Sequence, residues 1–191
     1  GLMIIIGILG DIGSGKSYVA SQFGYPVFNA DVEVAKIYKN SRVCFKKLKK
    51  LLPDYIRSFP INKNELTDSI LSNEKNIKKI SKIVHPLVRK KMNLFLKKNK
   101  KQRVIILDVP LLLENKIKIK NMIFVFVDSK KRDILTRLKK RRGFDRKIFK
   151  KLKEIQLPLD HKKRKSHFII KNYYTKKYIR KSIKNILKKI L

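Results

Sequence analysis

Two rhythms of apolar and polar positions run through this chain. Unbroken apolar runs mark buried strands near 3–8, 104–108 and 122–127, with shorter ones at 26–28 and 167–170. Between them, apolar residues recur three or four apart. Val19, Ala20 and Phe23 set a helix near 15–23, and further helices are expected near 130–141 and 146–156. Ile179, Ile183, Ile186, Leu187 and Ile190 continue the same spacing to the end. That last stripe has two readings: a helix packed on the core, or one lying on a membrane surface with its lysines outward. A mostly helical stretch covers about 32–100, with breaks at Pro53, Pro60 and Pro86. Pro86 suits the first turn of a helix running to about 98.

Strand and helix alternate, which predicts a parallel α/β sheet flanked by helices. The 32–100 stretch is too long for an ordinary crossover and reads as an inserted helical substrate region. Neither repeats nor flexible linkers interrupt 3–191, so 191 residues make one domain with inserted parts. The core is expected from 3–31 and 101–191.

Charge changes the picture next. Lys and Arg number 50 against 14 Asp and Glu, a formal net charge of +36. Such an excess suits nucleic-acid binding or, more plainly, a lysine-rich surface. Lysines occur in nearly every predicted helix (Lys46, Lys78, Lys97, Lys139, Lys188) and form no single arm. Aromatic residues are not interleaved with them as a base-stacking platform requires. Nucleic acid is therefore not expected as the primary partner, although the field should draw in small polyanions. The single Cys44 excludes an internal disulfide and fits a reducing cytosol, as a small buried apolar residue. No apolar run reaches the roughly 20 residues needed to span a bilayer. The longest, 104–113, is interrupted by Asp108 and Pro110. No basic leader precedes the first strand, so a cytoplasmic protein with no membrane partner is expected.

The chemistry is concentrated early. Residues 7–17 read Gly-Ile-Leu-Gly-Asp-Ile-Gly-Ser-Gly-Lys-Ser and contain Gly10-x-x-x-x-Gly15-Lys16-Ser17, a phosphate-binding loop. Four of the chain's seven glycines lie here, where backbone must wrap closely around phosphates. A strand feeds the loop and a helix N-terminus receives it, as anion binding requires. The fold class is thus a P-loop NTPase-type sheet. Backbone N–H groups of Gly13, Ser14, Gly15, Lys16, Ser17 and Tyr18 should cradle the α- and β-phosphates of a nucleoside triphosphate. Lys16 should bridge the β- and γ-phosphates, and Ser17 should offer its hydroxyl to Mg²⁺.

Four further features lie beyond that loop. Asp31 follows the second strand, at the edge that lines the ligand crevice in open α/β sheets. It can take a proton from an attacking hydroxyl or cap the next helix. Asp108 ends an apolar strand, either as a second acid holding hydrated Mg²⁺ or as a carboxylate bonded to nearby N–H groups. Arg137 and Arg141 stand four apart on one expected helix face, with Arg142 beside them and Gly143 ending the helix. They can neutralise a transferring phosphoryl group or simply face solvent. His85 precedes Pro86 in the only His-Pro pair and by itself suits a turn.

Taken in order, these segments resemble the dephospho-coenzyme A kinase family over nearly the whole chain. The glycine loop, Asn29-Ala30-Asp31, His85-Pro86, Pro110-Leu111-Leu112-Leu113-Glu114, the two arginines, Gln156-Leu157-Pro158-Leu159 and Asn172 all match its pattern. The resemblance implies ATP-dependent phosphorylation of the ribose 3′-hydroxyl of dephospho-CoA. It implies Asp31 as base, a helical substrate domain with His85, Lys63 and Leu66 as substrate-binding residues, Pro110 and Glu114 as further substrate-binding residues outside it, and a lid near 138–160 with Arg137 and Arg141 as its arginines. A monomer or weak oligomer is expected. The departures are Leu9 and Asp11 in the loop, Asn29 for the first Asp of the acid pair, Lys63 for an Arg, Ser166-His167 for Ala-Asp, and Tyr173-Tyr174 in place of the expected glycine after Asn172. Two alternatives are another small P-loop kinase, acting on a nucleoside monophosphate or a nucleic-acid end, and a basic nucleic-acid-binding P-loop protein.

Overall fold

The computed structural model describes residues 2–109, 119–141, 146–154, 157–173 and 175–191. In chain order its elements are β1 (Ile4–Gly10), α1 (Lys16–Ser21), β2 (Val27–Asn29), α2 (Ala30–Asn40), α3 (Arg42–Leu51), α4 (Lys63–Ser72) and α5 (Lys75–Lys98). There follow β3 (Val104–Asp108), β4 (Met122–Asp128), α6 (Lys131–Lys140), α7 (Arg146–Glu154), α8 (Leu159–Lys165), β5 (Phe168–Lys171) and α9 (Lys176–Ile190). The chain divides into two units. One holds the five strands with α1, α6, α8 and α9. The other comprises 30–97 together with 145–154.

In the first unit the strand order is β2-β3-β1-β4-β5, and every pairing is parallel. All five residues of β3 are buried, as expected of a strand covered on both faces. Ile6, Ile8, Val104, Ile106, Val125, Val127 and Ile170 form the sheet's part of the core. Val19 and Ala20 of α1 and Ile179, Ile183 and Ile186 of α9 close over it. The apolar stripe of α9 is consumed in this core, which removes the membrane-surface reading. Among the described residues no helix is long and apolar enough to cross a membrane.

Parallel pairing puts the carboxyl ends of all five strands on one edge. The loop after β1, Asn29, Asp108, Ser129 and Asn172 all follow or end strands there. Between β3 and β4 the order switches sides around β1, the position where open sheets leave a crevice.

The second unit is a helical cluster. Ile37, Cys44, Leu48, Leu52, Ile56, Ile61, Leu66, Ile80 and Val84 form its core. Ser41 caps α3 by accepting the Cys44 N–H at 3.1 Å. Glu33 of α2 pairs with Lys91 of α5 at 3.2 Å, and Glu74 with Lys151 of α7 at 3.8 Å. Two expectations change. Pro86 lies inside the 24-residue α5 and not in a first turn. It costs the helix one N–H bond, but apolar positions Ile80, Val84 and Met92 on either side keep one buried face. Helix α6 ends at Lys140, one residue before Arg141.

Candidate functional site

The loop between β1 and α1 is built from residues 11–15. Gly13 and Gly15 have φ of 80° and 87°, in the left-handed region open chiefly to glycine. A Cβ on Gly13 would lie 2.9 Å from Leu138 Cγ, and one on Gly15 would collide with the Asn172 amide. We therefore expect Gly15→Ala to weaken ATP binding about tenfold or more, from roughly 1–2 kcal/mol of backbone strain plus the collision. Calorimetric titration with ATP checks this; unchanged affinity would contradict the tight wrap.

The loop carbonyls are bonded to side chains behind it. The guanidinium of Arg137 donates through Nη1 to the Gly13 carbonyl at 3.1 Å. The Ser14 carbonyl accepts from Ser129 Oγ at 2.6 Å and from Asn172 Nδ2 at 2.8 Å. Lys16 Nζ donates to the Gly10 carbonyl at 3.5 Å. Ser14 is 1% exposed, and its buried hydroxyl has no hydrogen-bond partner among the described residues. A buried hydroxyl in that condition costs free energy unless a ligand oxygen meets it. Asp11 is buried as well, and its Oδ1 accepts the Ile12 N–H at 2.8 Å. Its charge is thus engaged by the loop's own backbone, which accounts for an acid at this position.

The hydroxyl of Ser17 donates to Asp108 Oδ2 at 2.7 Å. The side-chain amide of Asn29, facing Asp108 across the β2–β3 register, reaches Ser17 Oγ and Asp108 Oδ2, both at 3.4 Å. An Asp at 29 would set a second carboxylate against Asp108; Asn presents donors instead. Hydroxyl and carboxylate oxygens are the hard donors that Mg²⁺ takes, and it usually keeps several waters and phosphate oxygens beside them. The residues present fit both a phosphate chain, through the orphaned Ser14 hydroxyl, and Mg²⁺, through Ser17 and Asp108. Tyr18 sits in α1 with the Lys176 ammonium 5.7 Å above its ring.

Of the arginines, Arg137 is brought to the loop, and its Nη1 also bonds Ser129 Oγ at 3.3 Å. Arg141 does not share its helix face. It is exposed in extended backbone (ψ 135°), because α6 has already ended. Asp31 lies two residues past β2 in the first turn of α2, within the helical unit, with an exposed side chain. The helix starts at Ala30, so Asp31 stands inside it and not at the cap.

In that same unit, Leu66 belongs to the buried core, whereas Lys63 opens α4 on an exposed position. His85 is half-buried midway along α5. Burial lowers its pKa below the ordinary 6.5, and the Arg89 charge adds to this. The folded state then favours neutral imidazole, and the unfolded chain binds more protons below about pH 6.5. Stability from this group is present above that pH and is lost as pH falls through 6.5 toward the lower folded value. Urea unfolding at about pH 8 and about pH 5.5 should show a steeper loss for wild type than for His85→Gln. Equal slopes would remove His85 as the cause. Pro110, Glu114, Arg142, Gly143 and Gln156 lie outside the described residues.

Sequence reasoning missed Ser129 altogether and matched Asn172 without giving it a role. The available signal was positional: each is the first residue after a parallel strand, on the edge where the loop lies.

Among known proteins, the family model described as Dephospho-CoA kinase matches residues 4–177. A dephospho-CoA kinase of Wolbachia pipientis wMel is 32% identical over 189 residues, covering 96% of each chain. Among solved structures, TT1252 from Thermus thermophilus superposes with a TM-score of 0.80 at 25% identity over all of both chains. The dephospho-CoA kinase from Campylobacter jejuni shares the fold with a TM-score of 0.64 at 19% identity, covering all of this chain and 98% of the other.

Proposed function

The chain belongs to the dephospho-CoA kinase family, and from that premise we propose which of its residues carry the reaction. The activity is phosphoryl transfer from ATP to the ribose 3′-hydroxyl of dephospho-CoA, giving ADP and coenzyme A. The alternatives of another small kinase or a nucleic-acid-binding protein are not favoured. The observation that best supports the residue assignment is the 2.7 Å bond from Ser17 to Asp108 beside a glycine loop that holds a buried hydroxyl with no partner among the described residues.

Loop N–H groups of Gly13 and of Gly15 to Tyr18 hold the α- and β-phosphates, the Ser14 N–H being bonded to the Asp11 carbonyl at 3.1 Å, and the Ser14 hydroxyl gains a phosphate oxygen as partner. The Lys16 ammonium lies along the β- and γ-phosphates and offsets the charge that grows on the transferring group. Ser17 and Asp108 would hold Mg²⁺, which would supply charge neutralisation to the phosphate chain. Asp31 accepts or orients the proton of the attacking 3′-hydroxyl. Arg137 and Arg141 stabilise charge on the in-line phosphoryl group, and 138–160 serve as the lid that excludes water. Dephospho-CoA is assigned to the helical region about 32–100 through Lys63 and His85. Leu66 supports them from the core, and Pro110 and Glu114 complete the set. The enzyme acts as a monomer or weak oligomer in the cytoplasm, where the lone Cys44 stays reduced.

The test is ADP release from purified protein with ATP and Mg²⁺ and, in turn, dephospho-CoA, AMP, CMP or no acceptor. Release that depends on dephospho-CoA, with CoA as product, is expected. Release with a nucleoside monophosphate alone would overturn the substrate and keep the loop.

A further inference from the structure

We infer that Ser129 and Asn172 act as a two-sided clamp on the Ser14 carbonyl, and that this clamp sets the phosphate loop for ATP. The inference rests on the reading of residues 10–17 as the nucleotide cradle. A carbonyl oxygen has two lone pairs, and here both are used by side chains from different strand ends. Ser129 Oγ follows β4 and donates at 2.6 Å; Asn172 Nδ2 follows β5 and donates at 2.8 Å. Asn172 is itself anchored, since its N–H donates to the Asp128 carbonyl at 2.7 Å.

Direction is what the clamp controls. The Ser14–Gly15 peptide is planar and trans, so its C=O and N–H point to opposite sides. Two donors behind the carbonyl therefore aim the Gly15 N–H away from them. One residue earlier the same arrangement recurs: Arg137 holds the Gly13 carbonyl, and the Ser14 N–H bonds the Asp11 carbonyl at 3.1 Å. Gly15 has no Cβ to keep the Asn172 amide off, and any Cβ there would collide with it. Glycine at 15 thus serves the clamp as well as the backbone turn. Ser129 has a second contact, accepting from Arg137 at 3.3 Å, which Asn172 does not share. Neither residue is assigned a contact with the reacting atoms; both are positioning residues.

The experiment compares wild type with Ser129→Ala, Ser129→Thr, Asn172→Ala and the double alanine variant. Calorimetric binding of ATP with Mg²⁺, the two KM values, kcat and thermal midpoints are measured. Removing either donor should weaken ATP binding about fivefold, the effect of one net hydrogen bond. One remaining donor still orients the carbonyl, so the double variant should lose more than the product of the singles. The KM for ATP should rise while that for dephospho-CoA holds, and Ser129→Thr, which keeps the hydroxyl, should bind like wild type. An additional fall in kcat confined to Ser129→Ala would report the released Arg137. A folded double variant with wild-type ATP affinity overturns the clamp, as does an equal rise in both KM values. Should Asn172→Ala not fold, equal ATP affinity in Ser129→Ala and Ser129→Thr overturns it alone. If wild type itself binds no ATP, the cradle reading fails and the clamp with it.

Discussion

Lys16→Ala is expected to lower turnover on the order of 10²–10³-fold and to raise the ATP concentration needed for half-maximal rate. One charged donor aimed at developing phosphoryl charge supplies about that much, because the loop is fixed before the reaction begins. The lysine heads α1 directly after Gly15, and its ammonium reaches back to the Gly10 carbonyl. Truncation removes the side chain without disturbing the core, since Val19 and Ala20 of the same helix stay buried. Steady-state kinetics with both substrates varied, alongside a thermal melt, tests this. A folded variant with normal rate and normal KM for ATP would exclude Lys16 from the site.

Asp31→Asn is expected to act differently. The substitution keeps shape and hydrogen-bond reach but removes the ability to take a proton. Turnover should fall on the order of 10²–10⁴-fold, the range of a positioned general base. ATP affinity should be unchanged, because the proposed cradle, within Gly13 to Tyr18, does not include Asp31. Pre-steady-state measurement of the chemical step, with ATP binding measured separately, isolates the effect. Normal chemistry in the variant would falsify the base assignment, and a parallel loss of ATP binding would move Asp31 into the nucleotide site.

The two variants also probe how far a linear sequence discloses a site. Gly10 to Ser17 was legible because neighbours in sequence act there as neighbours in space. A strand, a tight loop and a helix start that together wrap one phosphate chain cannot be spread along the protein. Asp108 was legible only as one of two readings. The 2.7 Å bond from the Ser17 hydroxyl, which supports the metal reading, could not be seen there, because the β1–β3 pairing behind it joins residues about a hundred positions apart. The acid at 11 reads as a cost in the loop until its bond to the Ile12 N–H is seen. Arg137 and Arg141 show the reverse error. Spacing alone put them on one face, yet the helix stops at Lys140 and its last turn cannot carry Arg141 along.

What the sequence determined by itself is what short-range physics governs. Apolar runs made the strands, three-and-four spacing made the helices, and glycine placement made the phosphate loop. The ordered motifs also pointed to the family. Tertiary structure alone decided the strand order β2-β3-β1-β4-β5, and with it which strand ends became neighbours. Ser129 and Asn172 meet Ser14 because β4 pairs with β1 and β5 with β4, at sequence separations of 115 and 158. A hydrogen bond needs its partners about 3 Å apart. No local pattern along the chain encodes that distance until hydrophobic packing of the sheet has chosen the neighbours.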